Sequence, residues 1–200
     1  MSDLRLVGYL APSLPEGLFD AVATRIAEAT GRATSLRFED LRSGTWAFND
    51  PCSWSGYLNL LGRLRDVGGV PFFRVLRESG SHIQSVRLVV AGEVDGAAVD
   101  SNALALLLRR EPSLASRLRI IESWGPHPIQ PIVASSRLPS ALTHRIAASL
   151  CSMHLDERSA KRFRSFGVVR FAPVADDDYA SERVALRSLQ GLNVAVPAAH

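Results

Sequence analysis

The chain has 200 residues, 46% of them apolar, and a formal net charge of +3, which suits one large domain or two small lobes around a folded core. Lys161 is the single lysine, and no basic run is interleaved with aromatic residues, so we predict no nucleic-acid partner. No apolar run approaches the roughly 20 residues needed to span a bilayer, which predicts no direct membrane insertion.

The cysteines and histidines give no sign of a metal site. Cys52 and Cys151 are too few for a disulfide framework, and the five histidines lack metal-ligand spacing, so we expect neither a metal nor a cofactor. The segment Met1–Arg5 lacks the basic start and apolar core of a secretory signal. As written, the sequence predicts a cytoplasmic protein, or a periplasmic or membrane-associated one if a signal or anchor was lost.

The N-terminal part has the pattern of a β-α-β unit. Leu4–Leu10 is a short apolar run typical of a strand. Apolar residues then recur at helical spacing from Leu18 to Ala29, before Gly31, and Ala33–Phe38 predicts a second strand. Such an opening favours parallel pairing of strands.

The central motif is Trp46–Tyr57. Its first three residues predict a buried strand, Asn49–Pro51 break that strand, and Ser53 and Ser55 are suited to cap the following helix. A helix start offers unpaired backbone N–H groups and a positive dipole end, and small hydroxyl residues there leave room for an anion. This motif therefore predicts either one wall of a small-anion site or an ordinary helix cap.

The rest of the chain continues to alternate between strands and helices. A short apolar segment follows at residues 72–75, and strands are expected near residues 94–99, 117–122, 129–134 and 168–174. Helices are expected from Ser79 to Gly92, from Ala103 to Arg110, from Pro139 to Met153, from Asp156 to Phe166 and from Tyr179 to Leu189, with a loose tail after Gly191.

Three junctions share one order of an apolar strand or turn, small polar residues and a helix: Asn49–Gly56, Ser79–His82 and Asp100–Asn102. In an open α/β sheet such junctions gather at the carboxyl ends of the strands. Three helix starts there would hold a tetrahedral oxyanion by N–H groups and hydroxyls, without lysines. His82 would donate to an anion oxygen, and Asp100 would accept from a protonated one, which favours a monoprotonated oxyanion.

Each candidate residue also has another interpretation. The structural ones are helix caps for Ser53, Ser55 and Asp100, a surface or supporting histidine for His82, and packing aromatics for Trp54 and Tyr57. Ser53, His82 and Asp100 could also form a hydrolase triad, but no Gly-x-Ser-x-Gly elbow accompanies them. We therefore predict a protein that is not an enzyme and has no catalytic residue.

Five segments resemble, in order and spacing, the substrate-binding proteins of phosphate/phosphonate ABC transporters. They are Asn49–Tyr57, Phe72–Phe73, Ser79–His82, Gly92–Ser101 and Pro126–Pro131. The resemblance is close over Leu41–Leu155 and weak over Gly8–Phe38. It implies an α/β, two-lobed fold of the type II periplasmic-binding-protein kind, whose lobes close on the ligand.

The resemblance also implies ligand contacts. A hydroxyl-rich turn, a histidine and an aspartate contact the phosphonate in that family, and they correspond to Ser53, Ser55, His82 and Asp100. Trp54 stands where the family often has a smaller hydroxyl residue, which implies a narrower pocket or one that stacks on an apolar group. The full predicted ligand-binding set is Ser53, Trp54, Ser55, Gly56, Tyr57, Ser81, His82 and Asp100.

The sequence departs from the family pattern near Glu39. Arg37–Gly44 joins the second strand almost directly to the next turn, whereas the family has more of the first lobe and a hinge strand there. This departure indicates an internally shortened chain. We predict a nearly complete second lobe at 41–128 and a depleted, discontinuous first lobe from 1–40 and 129–200, with exposed sheet edges and a half-open site.

The predicted function is binding of a small tetrahedral oxyanion (phosphate, phosphonate or phosphite-like), with an ABC permease as candidate partner. The alternative is a cytoplasmic remnant or interaction scaffold of the same fold, with weak or no ligand binding.

Overall fold

A computed structural model describes residues 6–9, 37–69, 71–189 and 191–192. Its five strands form one parallel sheet in the order β3-β2-β4-β1-β5. They are β1 (Leu6–Tyr9), β2 (Thr45–Phe48), β3 (Val75–Glu78), β4 (Gly96–Asp100) and β5 (Ile120–Trp124). The predicted first strand is confirmed, and it pairs in parallel with β4 and β5. The helix and most of the second strand of the predicted β-α-β unit lie outside the described residues, so the pairing between its two strands stays a prediction.

The α-helices of the described residues are α1 (Asn59–Asp66), α2 (His82–Ala91), α3 (Ser101–Arg110), α4 (Ser140–Ser152), α5 (Glu157–Ser165) and α6 (Ala180–Ser188). A π-type turn, Trp54–Leu58, leads directly into α1. Short 3-10 turns lie at Phe38–Leu41, Pro112–Arg117, Met153–Leu155 and Asp176–Tyr179. Every predicted helix that falls on described residues is present.

Apolar residues cover both faces of strands β2 and β4, whose alternate residues point to opposite sides of the sheet. On one side lie Ala47, Val86, Val89, Ala97, Val99, Leu104 and Leu107, which pack α2 and α3 against the sheet. On the other side lie Phe38, Trp46, Phe48, Leu60, Leu64, Phe72 and Ala98, which include residues of α1. The site-bearing strands β2 and β4 are therefore held from both sides.

The connector at Phe38–Leu41 is part of this core. Phe38 is 1% exposed. Its ring stacks on Phe72 at 5.1 Å between centroids and meets Trp46 and Trp124 edge-on at 5.6 and 5.7 Å. Aromatic pairs at such distances add to the apolar burial that holds the segment down.

Two strand predictions are wrong. Residues 129–134 and 168–174 contain no strand, although both runs are rich in β-branched residues. Pro131 and Pro173 each lack the backbone N–H that a sheet ladder requires, and Val133 is 82% exposed. The composition favoured strands there, but none of the five strands in the described ranges pairs with either run.

The described residues fall into two compact units, one within Met1–His127 and Val184–His200 and the other Pro128–Arg183. The first contains the sheet, whose edge strands are β3 and β5. In the second, α4 and α5 contain no buried residue. The lobe boundaries expected from the sequence, 1–40 with 129–200 and 41–128, stay a prediction. Within the described parts of the chain, no helix has both the length and the apolar character that a bilayer crossing requires.

Candidate functional site

The three predicted junctions lie at the carboxyl ends of β3, β2 and β4, which are neighbours in the sheet. The turn after β2 supplies Ser55, the helix after β3 supplies His82, and the end of β4 supplies Asp100. Parallel strands bring such ends to one edge of a sheet. The structure places His82 in contact with both Ser55 and Asp100.

Ser53 begins the first junction as a helix cap. Its Oγ accepts a hydrogen bond from the Gly56 N–H at 3.1 Å. Its carbonyl oxygen accepts from both Tyr57 N, at 3.0 Å, and Leu58 N, at 2.9 Å, and the second bond opens the turn to the π type. Single π-type turns occur frequently at functional sites.

Ser55, His82 and Asp100 form a short chain of hydrogen bonds. Ser55 Oγ lies 3.2 Å from His82 Nε2. The backbone N–H of Asp100 donates to His82 Nδ1 at 3.4 Å. Both ring nitrogens of His82 therefore already have protein partners.

The electrostatic environment keeps His82 neutral. Burial lowers the pKa of His82 below its usual value, and the Asp100 charge opposes that effect without overcoming it. At neutral pH the ring is uncharged, so any attraction that this site has for an anion comes from hydrogen-bond donors and helix starts rather than from an imidazolium.

Ser81 and Asp100 cap the other two helices. Ser81 Oγ accepts from Gln84 N at 3.1 Å and begins α2. Asp100 Oδ1 accepts from Ala103 N at 3.0 Å and begins α3.

This geometry does not match a hydrolase triad, in which a carboxylate would accept from the histidine Nδ1–H. Here the group against Nδ1 is the Asp100 backbone N–H, and the serine at Nε2 is Ser55 rather than the proposed Ser53.

Gly56 packs closely against the histidine and against a residue that sequence reasoning missed. A Cβ at position 56 would lie 1.7 Å from Asn49 Oδ1 and 3.2 Å from His82 Cε1. Asn49 Oδ1 is buried and has no hydrogen-bond partner among the described residues. In sequence, Asn49 indicates only a strand break, because its contact with Gly56 is made through the fold.

Trp54 and Tyr57 are held by aromatic contacts. The Trp54 ring meets His127 edge-on at 5.5 Å, and its buried Nε1–H has no partner among the described residues. Tyr57 lies on Phe48 at 4.6 Å, and burial raises the pKa of Tyr57. His127 was not among the predicted site residues, although the Pro126–Pro131 segment that contains it carried part of the resemblance.

Ser79 begins one of the three predicted junctions but was not among the predicted ligand-binding residues. Its Oγ donates to Phe48 O at 3.0 Å and lies 2.7 Å from Ser85 Oγ, and its N–H also bonds Phe48 O at 2.8 Å. These bonds tie the end of β3 to the end of β2. The only signal in the sequence was a small polar residue directly after a strand.

Among the described residues, no group of three or more histidine, cysteine, aspartate or glutamate side chains is arranged to hold a metal ion.

Comparison with known proteins identifies a family and a similar solved structure. A family model described as the periplasmic substrate-binding protein of a phosphonate ABC transporter matches residues 11–179. The solved structure of PhnD1 from Prochlorococcus marinus (MIT 9301) in complex with methylphosphonate is similar, with a TM-score of 0.66, 21% identity, and coverage of 74% of this chain and 58% of that chain. The chain thus spans well under two thirds of that protein. A search of curated proteins found no match.

Proposed function

The chain belongs to the family of periplasmic substrate-binding proteins of phosphonate ABC transporters, and we propose that it binds a small tetrahedral oxyanion (phosphate, phosphonate or phosphite-like) without catalysing a reaction. Its α/β fold, with a parallel sheet and one lobe incomplete, is that of the type II periplasmic-binding proteins.

The observation that supports this proposal best is the meeting of three helix starts at one sheet edge. Ser55, His82 and Asp100 come from three different strand-to-helix junctions and yet form one hydrogen-bonded chain. Helix starts supply N–H donors and a positive dipole end, which favour an anion without a lysine. A tetrahedral oxyanion has several acceptor oxygens and suits donors that arrive from different directions.

The predicted residues have separate roles in this proposal. The hydroxyl of Ser55 and the helix starts at Trp54 and His82 would donate to the anion oxygens. Gly56 would allow the backbone to approach closely, because a Cβ there has no room. Ser53, Ser81, Tyr57 and Asp100 would hold the turns, with Asp100 also available to a protonated oxygen.

Trp54 sets the expected preference among ligands. Its ring lies beside His127 at the same turn as Ser55. An apolar surface at this point favours a phosphonate with a small apolar substituent over inorganic phosphate, since apolar contact adds to binding only when the ligand has an apolar group.

Isothermal titration with phosphate, methylphosphonate and 2-aminoethylphosphonate tests the proposal. We expect saturable heat with at least one of them, weakened in Ser55→Ala and unchanged in Ser116→Ala, which removes an exposed hydroxyl in the turn Pro112–Arg117. No heat and no thermal shift with any of the three at millimolar concentration would reject oxyanion binding by this chain.

The physiological setting belongs to the same proposal. The matched family is periplasmic and serves ABC transporters. We accordingly propose an ABC permease as partner, to be tested by co-purification of the chain with permeases encoded near its gene. Retention that depends on added anion would support this role.

An interaction scaffold is the second candidate, and one observation favours it. Large apolar side chains are exposed in Pro128–Arg183, including Ile132, Val133, Leu155 and Val169, each more than 60% exposed. Exposed apolar side chains mark a contact site where they join into one patch, so this candidate requires that these four lie side by side. Concentration-dependent association in sedimentation that no anion alters would favour the scaffold over the binding protein.

A further inference from the structure

We propose that the exposed basic face of α5 docks the protein peripherally on an anionic lipid surface. Arg158, Lys161 and Arg162 contact the lipid phosphates, while Leu155 and Phe166, at the two ends of the helix, enter the apolar layer beneath the headgroups. This inference is independent of the proposed oxyanion binding, because it uses none of the residues of the candidate site.

The spacing of the three cations places them on one side of α5. Residues three and four positions apart are neighbours on a helix surface, so Lys161 and Arg162 both lie next to Arg158. All three residues are exposed. Phe163 points away from them and is half-buried, and its ring meets Phe171 edge-on at 5.3 Å. The packed side of the helix is therefore aromatic, and its free side is basic.

No acidic side chain of the described residues lies within ion-pair distance of any of these three cations. Asp156, which begins the helix, accepts from the Ser159 N–H instead. Asp176 and Asp177 pair with Arg183. Like charges three and four positions apart destabilise a helix, and α5 has no buried residue that would offset this cost. The three charges therefore do not stabilise the fold.

The helix dipole does not account for Arg158 either. Cations are favourable in the last turn of a helix and unfavourable in the first. Arg162 lies in the last turn, but Arg158 follows the Asp156 cap by two positions and lies in the first. The chain thus keeps a positive charge where neither the helix nor a described side chain favours it. An external anionic surface supplies the missing partner.

The segment from Leu155 to Phe171 also accounts for the positive charge of the chain. It contains five basic and two acidic residues, an excess of three that equals the net charge of +3 of all 200 residues. The rest of the chain is therefore balanced in charge, and the positive potential is concentrated on this segment.

Apolar side chains beside the cations favour a lipid surface over a nucleic acid. Leu155 and Val169 are each 77% exposed, and Phe166 is 49% exposed. Phe166 follows Arg162 by four positions and so continues the basic side of the helix. A bilayer interface offers anionic phosphates with an apolar layer beneath them, which suits both kinds of side chain. A nucleic acid would leave the exposed leucine and valine in water.

Co-sedimentation of the full chain with large vesicles tests the proposal. We expect binding to vesicles of equal parts phosphatidylglycerol and phosphatidylcholine, weakening as salt is added, and none to pure phosphatidylcholine. Each basic residue near an anionic surface contributes about fivefold to binding, so Arg158→Gln, Lys161→Gln and Arg162→Gln together should weaken it at least about twentyfold. Glutamine keeps the helix propensity and removes the repulsion, so this variant should fold. No binding of the unaltered chain to the anionic vesicles would overturn the proposal.

A matched variant separates the α5 face from net charge. Arg74→Gln, Arg109→Gln and Arg110→Gln together remove three exposed cations from the unit that contains the sheet. We expect this variant to bind the anionic vesicles as the unaltered chain does. Equal loss in the two triple variants would mean that overall charge, not the α5 face, binds the vesicles.

The apolar contribution distinguishes a lipid surface from other polyanions. Leu155→Ser should weaken vesicle binding about threefold or more, since an exposed leucine gains free energy only where an apolar layer receives it. Unchanged vesicle binding by Leu155→Ser would mean adsorption by charge alone. Tighter binding of the unaltered chain to a single-stranded oligonucleotide than to the vesicles would identify a nucleic acid as the partner. Either result would overturn the proposal, whether or not the chain binds methylphosphonate.

Discussion

At the scale of single residues, the site depends on groups whose chemistry is set by their neighbours. His82 is the clearest case, because its half-buried ring is held neutral between a backbone donor and a serine hydroxyl. A charged ring would lose the bond from the Asp100 N–H, which needs the lone pair on Nδ1. The protonation of this one residue therefore couples the folded state to pH.

We expect acid to destabilise the protein through His82. Burial lowers its folded-state pKa below the unfolded value of about 6.5, so the unfolded chain binds more protons as the pH falls. The stability associated with the neutral ring is complete above about pH 6.5 and is lost as the pH falls through the folded-state pKa.

Urea denaturation at pH 7.5 and 5.5 measures this effect. The free energy of unfolding should fall more between the two pH values in the unaltered protein than in His82→Gln, which has no ring to protonate. Asp100 is the charged neighbour that opposes the shift, so Asp100→Asn should lower the pKa of His82 further. Equal pH dependence in the unaltered protein and His82→Gln would show that the ring does not carry the effect.

Gly56 provides a steric prediction with a control in the same chain. Gly56→Ala should lower the free energy of unfolding by about 1–3 kcal/mol, because the new Cβ would force both the Asn49 amide and the His82 ring to move. Gly62→Ala is the control, because Gly62 lies inside α1 and the nearest atom to a Cβ there would be 3.9 Å away.

The Gly62 variant should raise the free energy of unfolding by about 0.5–1 kcal/mol, since alanine is the better helix former. Urea denaturation of both variants gives the comparison, and methylphosphonate titration of Gly56→Ala should show weakened binding. A Gly56 variant as stable as the Gly62 variant would mean that the turn has room that the structure does not show.

Sequence reasoning named the residues that meet at this edge of the sheet but not how they connect. The capping roles of Ser53 and Asp100 follow from local pattern, because a cap bonds a backbone group only three residues away. The bond between Ser55 and His82 joins residues 27 positions apart, and it exists only because β2 and β3 are neighbours. The contact between His82 and the Asp100 N–H involves a third strand, because Asp100 is the last residue of β4. No local sequence pattern predicts this contact.

At the scale of elements, sequence patterns predicted helices and strands correctly where a helix cap or a neighbouring strand stabilises them. α2 begins at the Ser81 cap and ends at Gly92 with φ of 74°, a left-handed conformation that glycine adopts readily. The apolar runs at 129–134 and 168–174 failed as strand predictions because strand formation needs a partner strand, which composition cannot supply.

The packing of the Phe38–Leu41 connector was likewise not predictable from sequence. Glu39 accepts from Arg63 at 2.7 Å, and Arg63 also donates to Glu122 of β5 at 2.7 Å. The guanidinium lies over the Phe38 ring at 5.3 Å. One arginine of α1 thereby joins the connector to an edge strand.

We expect Arg63→Met to cost about 1–2 kcal/mol in the free energy of unfolding. The Arg63 side chain is 23% exposed, and its removal leaves the partly buried carboxylates of Glu39 and Glu122 without this partner. The cost should therefore exceed that of losing a surface ion pair and stay below that of breaking a fully buried one. Arg87 of α2 forms a more exposed pair with Glu111, so Arg87→Met should lower the free energy of unfolding by less than about 0.5 kcal/mol.

Urea denaturation at low and high salt distinguishes the two arginines. The Arg87 pair should lose its small contribution as salt screens it, whereas the Arg63 effect should persist because part of it comes from packing on Phe38. Equal costs for the two variants would show that the connector is not anchored by this cluster.

At the scale of the whole molecule, burial is divided unevenly along the chain. The unit that contains the sheet encloses two buried apolar clusters. The unit Pro128–Arg183 has helices without buried residues and several apolar side chains that are largely exposed. Because burial of apolar surface is the main favourable term in folding, the two units should differ in local stability.

Hydrogen exchange measured by NMR or mass spectrometry tests this difference between two helices of similar length. α2 buries Val86 and Val89 against the sheet, whereas α4 presents Leu142 and Ile146 at 38% and 42% exposure. Amides of α2 should exchange only through openings close to the global free energy of unfolding, and those of α4 through openings of about 0–2 kcal/mol. Helices of this length have little stability in water without tertiary packing, so α4 cannot be protected by its own hydrogen bonds alone.

The exchange pattern also separates the two candidate functions. If the exposed apolar face of α4 serves a partner, its protection should rise with protein concentration or on adding that partner, while methylphosphonate leaves it unchanged. If the chain is an oxyanion-binding protein, methylphosphonate should slow exchange in the turns that follow β2, β3 and β4, where Ser55, His82 and Asp100 meet. Protection of α4 equal to that of α2 in dilute protein would contradict the uneven burial, because it would require contacts that the exposed side chains of α4 do not make.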